Sequence, residues 1–113
     1  MSLNLLVLRC KNIEASKEFY SFFDFSFHKE QHGSGVQHYA ATKNDFVLEL
    51  YPVSKSKDSD NCRLGFTVQN IESLISIFKQ QNWVEKDLFT RYSQKIFIAK
   101  DPDGRKIEIL EKK

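Results

Sequence analysis

Two glutamates lie inside apolar, strand-like segments in the two halves of the chain. Glu49 stands within residues 46–51, and Glu108 stands within residues 105–111. A carboxylate in such a place can abstract a proton from a substrate, or it can pair with a basic side chain such as Arg63. Arg63 could equally bind a carboxylate or phosphate of a ligand. We favour ion pairing for the two glutamates, while both roles stay open for Arg63.

Three histidines, His28, His32 and His38, flank the turn at residues 33–35. Imidazole is a common metal ligand, so such a group could suggest a metal site. These histidines have no helical i, i+4 spacing and no cysteine partner. We therefore interpret them as surface or hydrogen-bonded side chains. His38 is of most interest, because its strand is expected to border the open face of a sheet.

The helix and strands that position these side chains occur twice in the sequence. Asn12 and Asn70 are candidate helix N-caps, and Glu14 and Glu72 follow in the first helical turn. Strand-like segments in the same order surround each helix, which indicates a duplicated supersecondary unit. The predicted fold class is α+β, built from two βαβββ modules. The predicted boundaries are 1–113 for a single domain, 1–52 for module one, 53–61 for a polar linker and 62–113 for module two.

Hydrophobic periodicity assigns the individual elements. The predicted helices cover 13–23 and 71–81. The predicted strands are 3–10, 25–32, 36–43, 46–51, 62–69, 83–87, 94–100 and 105–111. Each helix covers one face of its sheet, so the other face must be covered by a ligand, by the other module or by a partner chain.

Alternation along the strands selects the side chains of that open face. The selected set mixes apolar groups with charges of both signs: Leu5, Val7, Arg9, Glu49, Tyr51, Arg63, Lys106 and Glu108. Partly buried charges of opposite sign should pair rather than stand alone.

Composition excludes several classes of function. The formal net charge is +2 and no lysine or arginine cluster stands out, which argues against a nucleic-acid partner. No segment reaches the roughly 18 consecutive apolar residues of a membrane span, and the N-terminus lacks the layout of a signal peptide. Cys10 and Cys62 lie far apart and form no C-x-x-C motif, as in reduced thiols. We expect a cytoplasmic protein without membrane association.

Three motifs together resemble a known family. They are Phe19-Tyr20 in the first helix, Glu49-Leu50-Tyr51-Pro52 at the end of one half, and Asp101-Pro102-Asp103-Gly104 followed by an apolar strand with Glu108. With the βαβββ repeat, this pattern resembles the vicinal oxygen chelate superfamily of glyoxalase I, bleomycin-resistance proteins and extradiol dioxygenases. The resemblance implies a cupped mixed sheet around a site, and a homodimer.

The resemblance also implies where a metal would bind. Metal-using members take ligands from the first strand and the last strand of each module. In this chain the corresponding residues are Leu5, Glu49, Arg63 and Glu108. Leucine has no donor atom, and a guanidinium stays protonated and offers no lone pair. We therefore expect neither the usual metal nor another cofactor.

The sequence thus predicts a small-molecule-binding member of the glyoxalase/bleomycin-resistance superfamily that lacks the usual metal. An amphipathic or anionic ligand fits the basic side chains of the open face. The predicted ligand-binding residues are Arg9, His38, Glu49, Tyr51, Arg63 and Glu108. One alternative is a metal-dependent or acid/base lyase, isomerase or dioxygenase with catalytic residues still unknown. Another is an interaction module whose cup is filled by a partner subunit.

Overall fold

The computed structural model describes residues 1–113 and contains two copies of one arrangement of strands and helix. The elements are β1 (Leu5–Cys10), α1 (Ile13–Tyr20), a 3-10 turn (Ser21–Phe23), β2 (His28–Glu30), β3 (His38–Lys43), β4 (Phe46–Pro52), β5 (Leu64–Val68), α2 (Ile71–Gln80), β6 (Val84–Arg91), β7 (Gln94–Lys100) and β8 (Lys106–Glu111). The chain divides into two compact units, residues 1–60 and residues 61–113. The predicted α+β fold with two βαβββ modules is confirmed.

Each unit holds a mixed sheet of four strands with the same topology. The strand order is β1-β4-β3-β2 in unit one and β5-β8-β7-β6 in unit two. In both units the first strand runs parallel to the last, and the other neighbours are antiparallel. The last strand of each unit, which carries the glutamate, therefore lies in the middle of its sheet.

Both helices begin as the sequence predicts. The Asn12 side chain accepts a hydrogen bond of 3.1 Å from the Ala15 amide, and the Asn70 side chain accepts one of 3.1 Å from the Ser73 amide. These bonds satisfy amide groups that have no partner within the helix. The first helix ends earlier than predicted, at Tyr20, because its last residues tighten into the 3-10 turn.

The helix-facing side of each sheet is the core. In β4, the buried Leu48 and Leu50 alternate with half-buried Glu49 and Tyr51, as the period of two predicts. In β8, Ile107 and Ile109 are fully buried. The core of unit one is completed by Leu8, Cys10, Phe19, Tyr20 and Phe23, and that of unit two by Ile71, Ile75, Phe78, Phe97 and Ala99.

Most predicted strands differ from the observed ones at one or both ends, and two of these differences bear on the site. The strand predicted at 25–32 is shorter, at His28–Glu30. The strand predicted at 83–87 is longer, at Val84–Arg91, and it reaches a tight turn at Tyr92 and Ser93. Both turn residues have positive φ, 52° and 62°, without being glycine or asparagine. Because tyrosine and serine are not typical of such a turn, the sequence pattern does not predict where this hairpin turns. No helix in the structure is long and apolar enough to cross a membrane.

A tyrosine of β3 connects the sheet of unit one to its helix, and this contact leads to a pH prediction. The buried Tyr39 hydroxyl donates to both carboxylate oxygens of Glu14 at 2.8 Å. This hydrogen bond is the main reason that the pKa of Glu14 lies below its ordinary value of 4.5. The stabilisation is therefore present above pH 4.5 and is lost as the pH falls through the lowered pKa.

We expect Tyr39→Phe to lower the urea midpoint of unfolding at pH 7 and to have a smaller effect at pH 3. The exposed Tyr92 offers a matched control, since Tyr92→Phe removes the same hydroxyl without a contact to Glu14. Urea melts of the three proteins at both pH values measure the difference. An equal destabilisation by Tyr39→Phe at pH 3 and pH 7 would contradict the assignment.

Candidate functional site

The open face of unit one carries an aromatic stack across three strands. Tyr51 of β4 pairs in register with Arg9 of β1, and the Arg9 guanidinium carbon lies 4.8 Å from the centre of the Tyr51 ring. The His38 ring of β3 stacks on Tyr51 with centroids 4.0 Å apart and an interplanar angle of 10°. Burial, and then the charge of Glu49, raise the pKa of Tyr51 above its usual value of 10.0. Tyr51 therefore presents a neutral hydroxyl near neutral pH.

His38 connects this stack to a group of acids and histidines. Its side chain is 1% exposed, and its Nε2 lies 3.3 Å from Glu30 Oε1 and 3.6 Å from Glu49 Oε2. The same Glu30 lies 3.0 Å from His28 Nε2 and 3.7 Å from His32 Nε2. The hydrogen bond with His28 is the largest cause of the lowered pKa of Glu30. We call Glu30 with its three histidines the histidine cluster.

Unit two presents an open groove of about 370 Å³ on its sheet. Its lining combines four cations, two acids and two apolar side chains: Arg63, Lys86, Arg91, Lys106, Glu85, Glu108, Phe89 and Ile98. We call it the basic groove. Its volume lies within the range of roughly 300–1,000 Å³ that is typical of small-molecule sites.

Only one of the four cations of the basic groove, Arg91, forms an ion pair within unit two. Glu108 pairs with Arg91 at 2.8 Å, and Glu85 pairs with Lys100 outside the groove at 3.7 Å. Lys86 instead lies over the Phe89 ring, 4.1 Å from its centre.

Arg63 and Lys106 are exposed, and no carboxylate of unit two forms an ion pair with either of them. The expected pairing of Arg63 with Glu108 is therefore not found, since Glu108 is held by Arg91 from the longer β6.

The six residues predicted to bind a ligand fall into two groups. Arg9, His38, Glu49 and Tyr51 lie together on the open face of unit one. Arg63 and Glu108 both line the basic groove of unit two.

Sequence reasoning missed several neighbours of these residues. Glu30 joins His38 because β2 and β3 pair with Glu30 opposite His38. If the two strands are assumed to form a β-hairpin centred on the turn at residues 33–35, the sequence predicts that residues 30 and 38 lie opposite each other. Arg91 and Lys86 were missed because β6 is longer than its apolar pattern indicates.

The matching family model extends over nearly the whole chain. The model of the Glyoxalase/Bleomycin resistance protein/Dioxygenase superfamily matches residues 2–109. The chain belongs to this superfamily. The resemblance inferred from the repeat and from the Asp-Pro-Asp-Gly turn is thus confirmed. No curated protein matches the sequence.

Solved structures of the glyoxalase/bleomycin-resistance superfamily and its fold relatives superpose on this chain. One is an oxidase named ChaP-H2, with 11% identity and a TM-score of 0.78, covering 100% of this chain and 94% of that chain. Another is TnmS3, an antibiotic binding protein from Streptomyces sp. CB03234, with 16% identity, a TM-score of 0.77 and coverage of 100% and 97%. A superfamily member from Sphaerobacter thermophilus DSM 20745 has 12% identity, a TM-score of 0.74 and coverage of 99% and 98%. At these identities the likeness concerns the fold.

The metal positions implied for the superfamily do not fit a metal in this chain. Leu5 offers no donor atom, and Arg63 is a cation that would repel one. Glu108 is already paired with Arg91 at 2.8 Å. Glu49 alone keeps a carboxylate near another potential ligand, His38 at 3.6 Å. A divalent first-row metal needs about four nitrogen, oxygen or sulfur donors, and these four residues do not supply them.

Proposed function

We propose that this superfamily member binds an anionic or amphipathic small molecule in the basic groove, without the usual metal of the superfamily. One observation carries the proposal. Arg63 and Lys106 line a groove of small-molecule size, and no carboxylate of unit two forms an ion pair with either of them. Their charges are therefore available to a ligand.

The chemistry of the groove selects the ligand class. Four basic side chains face two acidic ones, so the lining has excess positive charge. A guanidinium binds a carboxylate or phosphate through two parallel hydrogen bonds, which fixes the orientation of the ligand. Phe89 and Ile98 add an apolar surface on which an aromatic or aliphatic body can pack. A cationic ligand would meet repulsion instead.

The stack of unit one supplies a second surface of mixed character. Arg9 and Tyr51 could bind a planar or acidic ligand by stacking and by charge. The antibiotic binding protein TnmS3 shares this fold, which makes sequestration without chemical change a reasonable role for the scaffold. Homodimerisation, a cytoplasmic location and the interaction module stay predictions from sequence.

A thermal-shift screen tests the proposal. The panel contains aromatic and aliphatic carboxylates and phosphates, together with amines of the same size. We expect hits among the anions only. For the best hit, Arg63→Ala should weaken binding by about 10- to 150-fold, because one charge-assisted hydrogen bond contributes roughly 1.5–3 kcal/mol.

The matched control for that substitution is Lys55→Ala, which removes one exposed positive charge from the linker of unit one. Calorimetric titration of the two variants separates local contact from overall charge. Anion binding that Arg63→Ala leaves unchanged, or hits confined to amines, would refute the basic groove as the binding site.

An enzyme is the second candidate, and one contact favours it. Glu49 lies 3.6 Å from the buried His38, so the two groups could pass a proton at a substrate bound on the open face of unit one. Glu49→Gln would then abolish turnover of a compound that still binds. A pure binding protein would show no turnover to lose.

A further inference from the structure

All three histidines of the chain meet at one carboxylate. The chain contains three histidines, and each has Nε2 within 3.7 Å of a Glu30 oxygen. They reach it from different places, since His28 lies in β2, His38 in β3 and His32 in the loop between them. This convergence depends on the fold of the hairpin, and it is independent of the basic groove in the other unit.

The Nε2 atom of His38 is directed at carboxylates. Its Nδ1 atom lies 3.3 Å from the Val36 carbonyl oxygen, which accepts a hydrogen bond in the tautomer that carries the proton on Nδ1. Nε2 then faces two carboxylates, Glu30 at 3.3 Å and Glu49 at 3.6 Å. In that tautomer the Nε2 lone pair is directed at both carboxylates. A metal ion at this point would be bound by the lone pair and by the carboxylate oxygens together.

The hydrogen bond to Val36 is typical of metal-binding histidines. A ligating imidazole commonly donates its other ring N–H to a backbone carbonyl, which fixes the orientation of the ring. His38 is also held by burial and by its stacking on Tyr51. The cluster thus contains one rigid ligand whose donor atom is directed at the other members.

The spacing of the donor atoms is close to that of a metal site. Donors in a tetrahedral zinc site lie about 3.3–3.5 Å apart, for metal–ligand distances of roughly 2.0–2.2 Å. Glu30 Oε1 lies 3.3 Å from His38 Nε2 and 3.7 Å from His32 Nε2. One donor atom from each of these three residues lies within 4.8 Å of the other two. The His32 side chain is 74% exposed and can adjust its position.

We propose that Glu30, His32 and His38 form a site for a divalent transition metal of the zinc type. Two nitrogens and one carboxylate oxygen suit Zn²⁺, and Cu²⁺ should bind more tightly still by the usual order of metal affinities. Water can occupy the fourth position of such a site. This site uses neither Leu5 nor Arg63, so it differs from the position that the superfamily implies.

Zinc titration of the full-length chain without an affinity tag tests the site. We expect one Zn²⁺ per chain by calorimetry and by elemental analysis after dialysis. Glu30→Gln and His32→Ala should each weaken Zn²⁺ binding at least tenfold. His32 is exposed, so its loss is not expected to disturb folding. Glu18→Gln, at an exposed carboxylate of α1 in the same unit, is the matched control and should bind Zn²⁺ as the parent does.

Nitrogen NMR of the histidine rings distinguishes a metal from a proton at His38. Zn²⁺ should move the Nε2 signal of His38 to the range of a metal-bound nitrogen. A His38 ring that is doubly protonated and does not respond to Zn²⁺ would overturn the proposal. Stoichiometric Zn²⁺ binding that survives both Glu30→Gln and His32→Ala would overturn it as well.

Discussion

Replacement of Arg105 by methionine is expected to lower the free energy of unfolding by about 3–5 kcal/mol, the usual cost of removing one partner from a buried ion pair. Arg105 is 1% exposed and follows the turn that leads into β8. Its Nη1 lies 2.8 Å from Asp101 Oδ2 and 3.3 Å from Asp103 Oδ2. Both carboxylates are as buried as the guanidinium, so methionine would leave two anions without their cation.

A double variant separates the charge effect from the loss of packing. Asp101 Oδ1 accepts hydrogen bonds of 2.9 Å from the backbone amides of Asp103 and Arg105. Asp101→Asn keeps this acceptor oxygen but removes one negative charge. Combined with Arg105→Met, it should recover part of the lost stability. Denaturant unfolding of the single and double variants measures the coupling. A loss below about 1 kcal/mol for Arg105→Met alone would contradict the assignment, since an exposed pair is worth no more than that.

The ion pair of Arg105 gives the Asp-Pro-Asp-Gly motif a second role, in addition to the turn that its residue types predict. Asp101, Pro102, Asp103 and Gly104 predict a tight turn by residue type, and Gly104 takes the expected positive φ of 87°. The sequence does not show that the next residue folds back onto both aspartates. That contact depends on burial, because only buried carboxylates require a dedicated cation. The turn was thus predictable, and its electrostatic role was not.

The repeat made the fold predictable for a physical reason. Each half contains the same order of helical and strand periods, and alternation within the strands then determines which side chains leave the core. Glu49 and Glu108 were placed correctly on the open faces by this rule alone. Strand length was less predictable, because β6 continues through polar residues where the period of two is weak.

Which side chains contact the site residues depends on the register between neighbouring strands. Hydrophobic periodicity does not predict that register. Glu30 meets His38 because residue 30 pairs with residue 38 across the hairpin, and a shift of one residue would send it to the other face. Arg91 reaches Glu108 because β6 is long enough to bring it there. In both cases the missed partner is a charged group on a strand whose length or pairing was uncertain from sequence.

Register also explains how one repeat produced two different surfaces. Glu49 and Glu108 occupy equivalent positions in β4 and β8. The neighbour of Glu49 is a buried histidine, whereas the neighbour of Glu108 is an exposed arginine. The donors gathered in unit one are the basis of the proposed metal site, and the cations of unit two are the basis of the proposed anion site. The two proposals thus assign different classes of ligand to two sheets of one topology.

Reversal of charge in the basic groove should have the largest effect on ligand binding. The double variant Arg63→Glu with Lys106→Glu replaces the two groove cations that have neither a carboxylate partner in unit two nor an aromatic contact. Both side chains are exposed, so folding should tolerate the change. Loss of two charge-assisted hydrogen bonds, together with the new repulsion, should weaken an anionic ligand by about 100-fold or more.

The linker variant Lys55→Glu with Lys57→Glu provides the matched control, because it changes the net charge by the same amount at two exposed positions of unit one. Binding of the best anion from the screen is measured for both variants by calorimetry at low and high salt. Added salt should reduce the difference between parent and groove variant, because it screens charges at exposed sites. Equal losses in the two variants would show that the anion responds only to the overall charge of the protein. A loss confined to the groove variant would be explained by direct contact with Arg63 and Lys106.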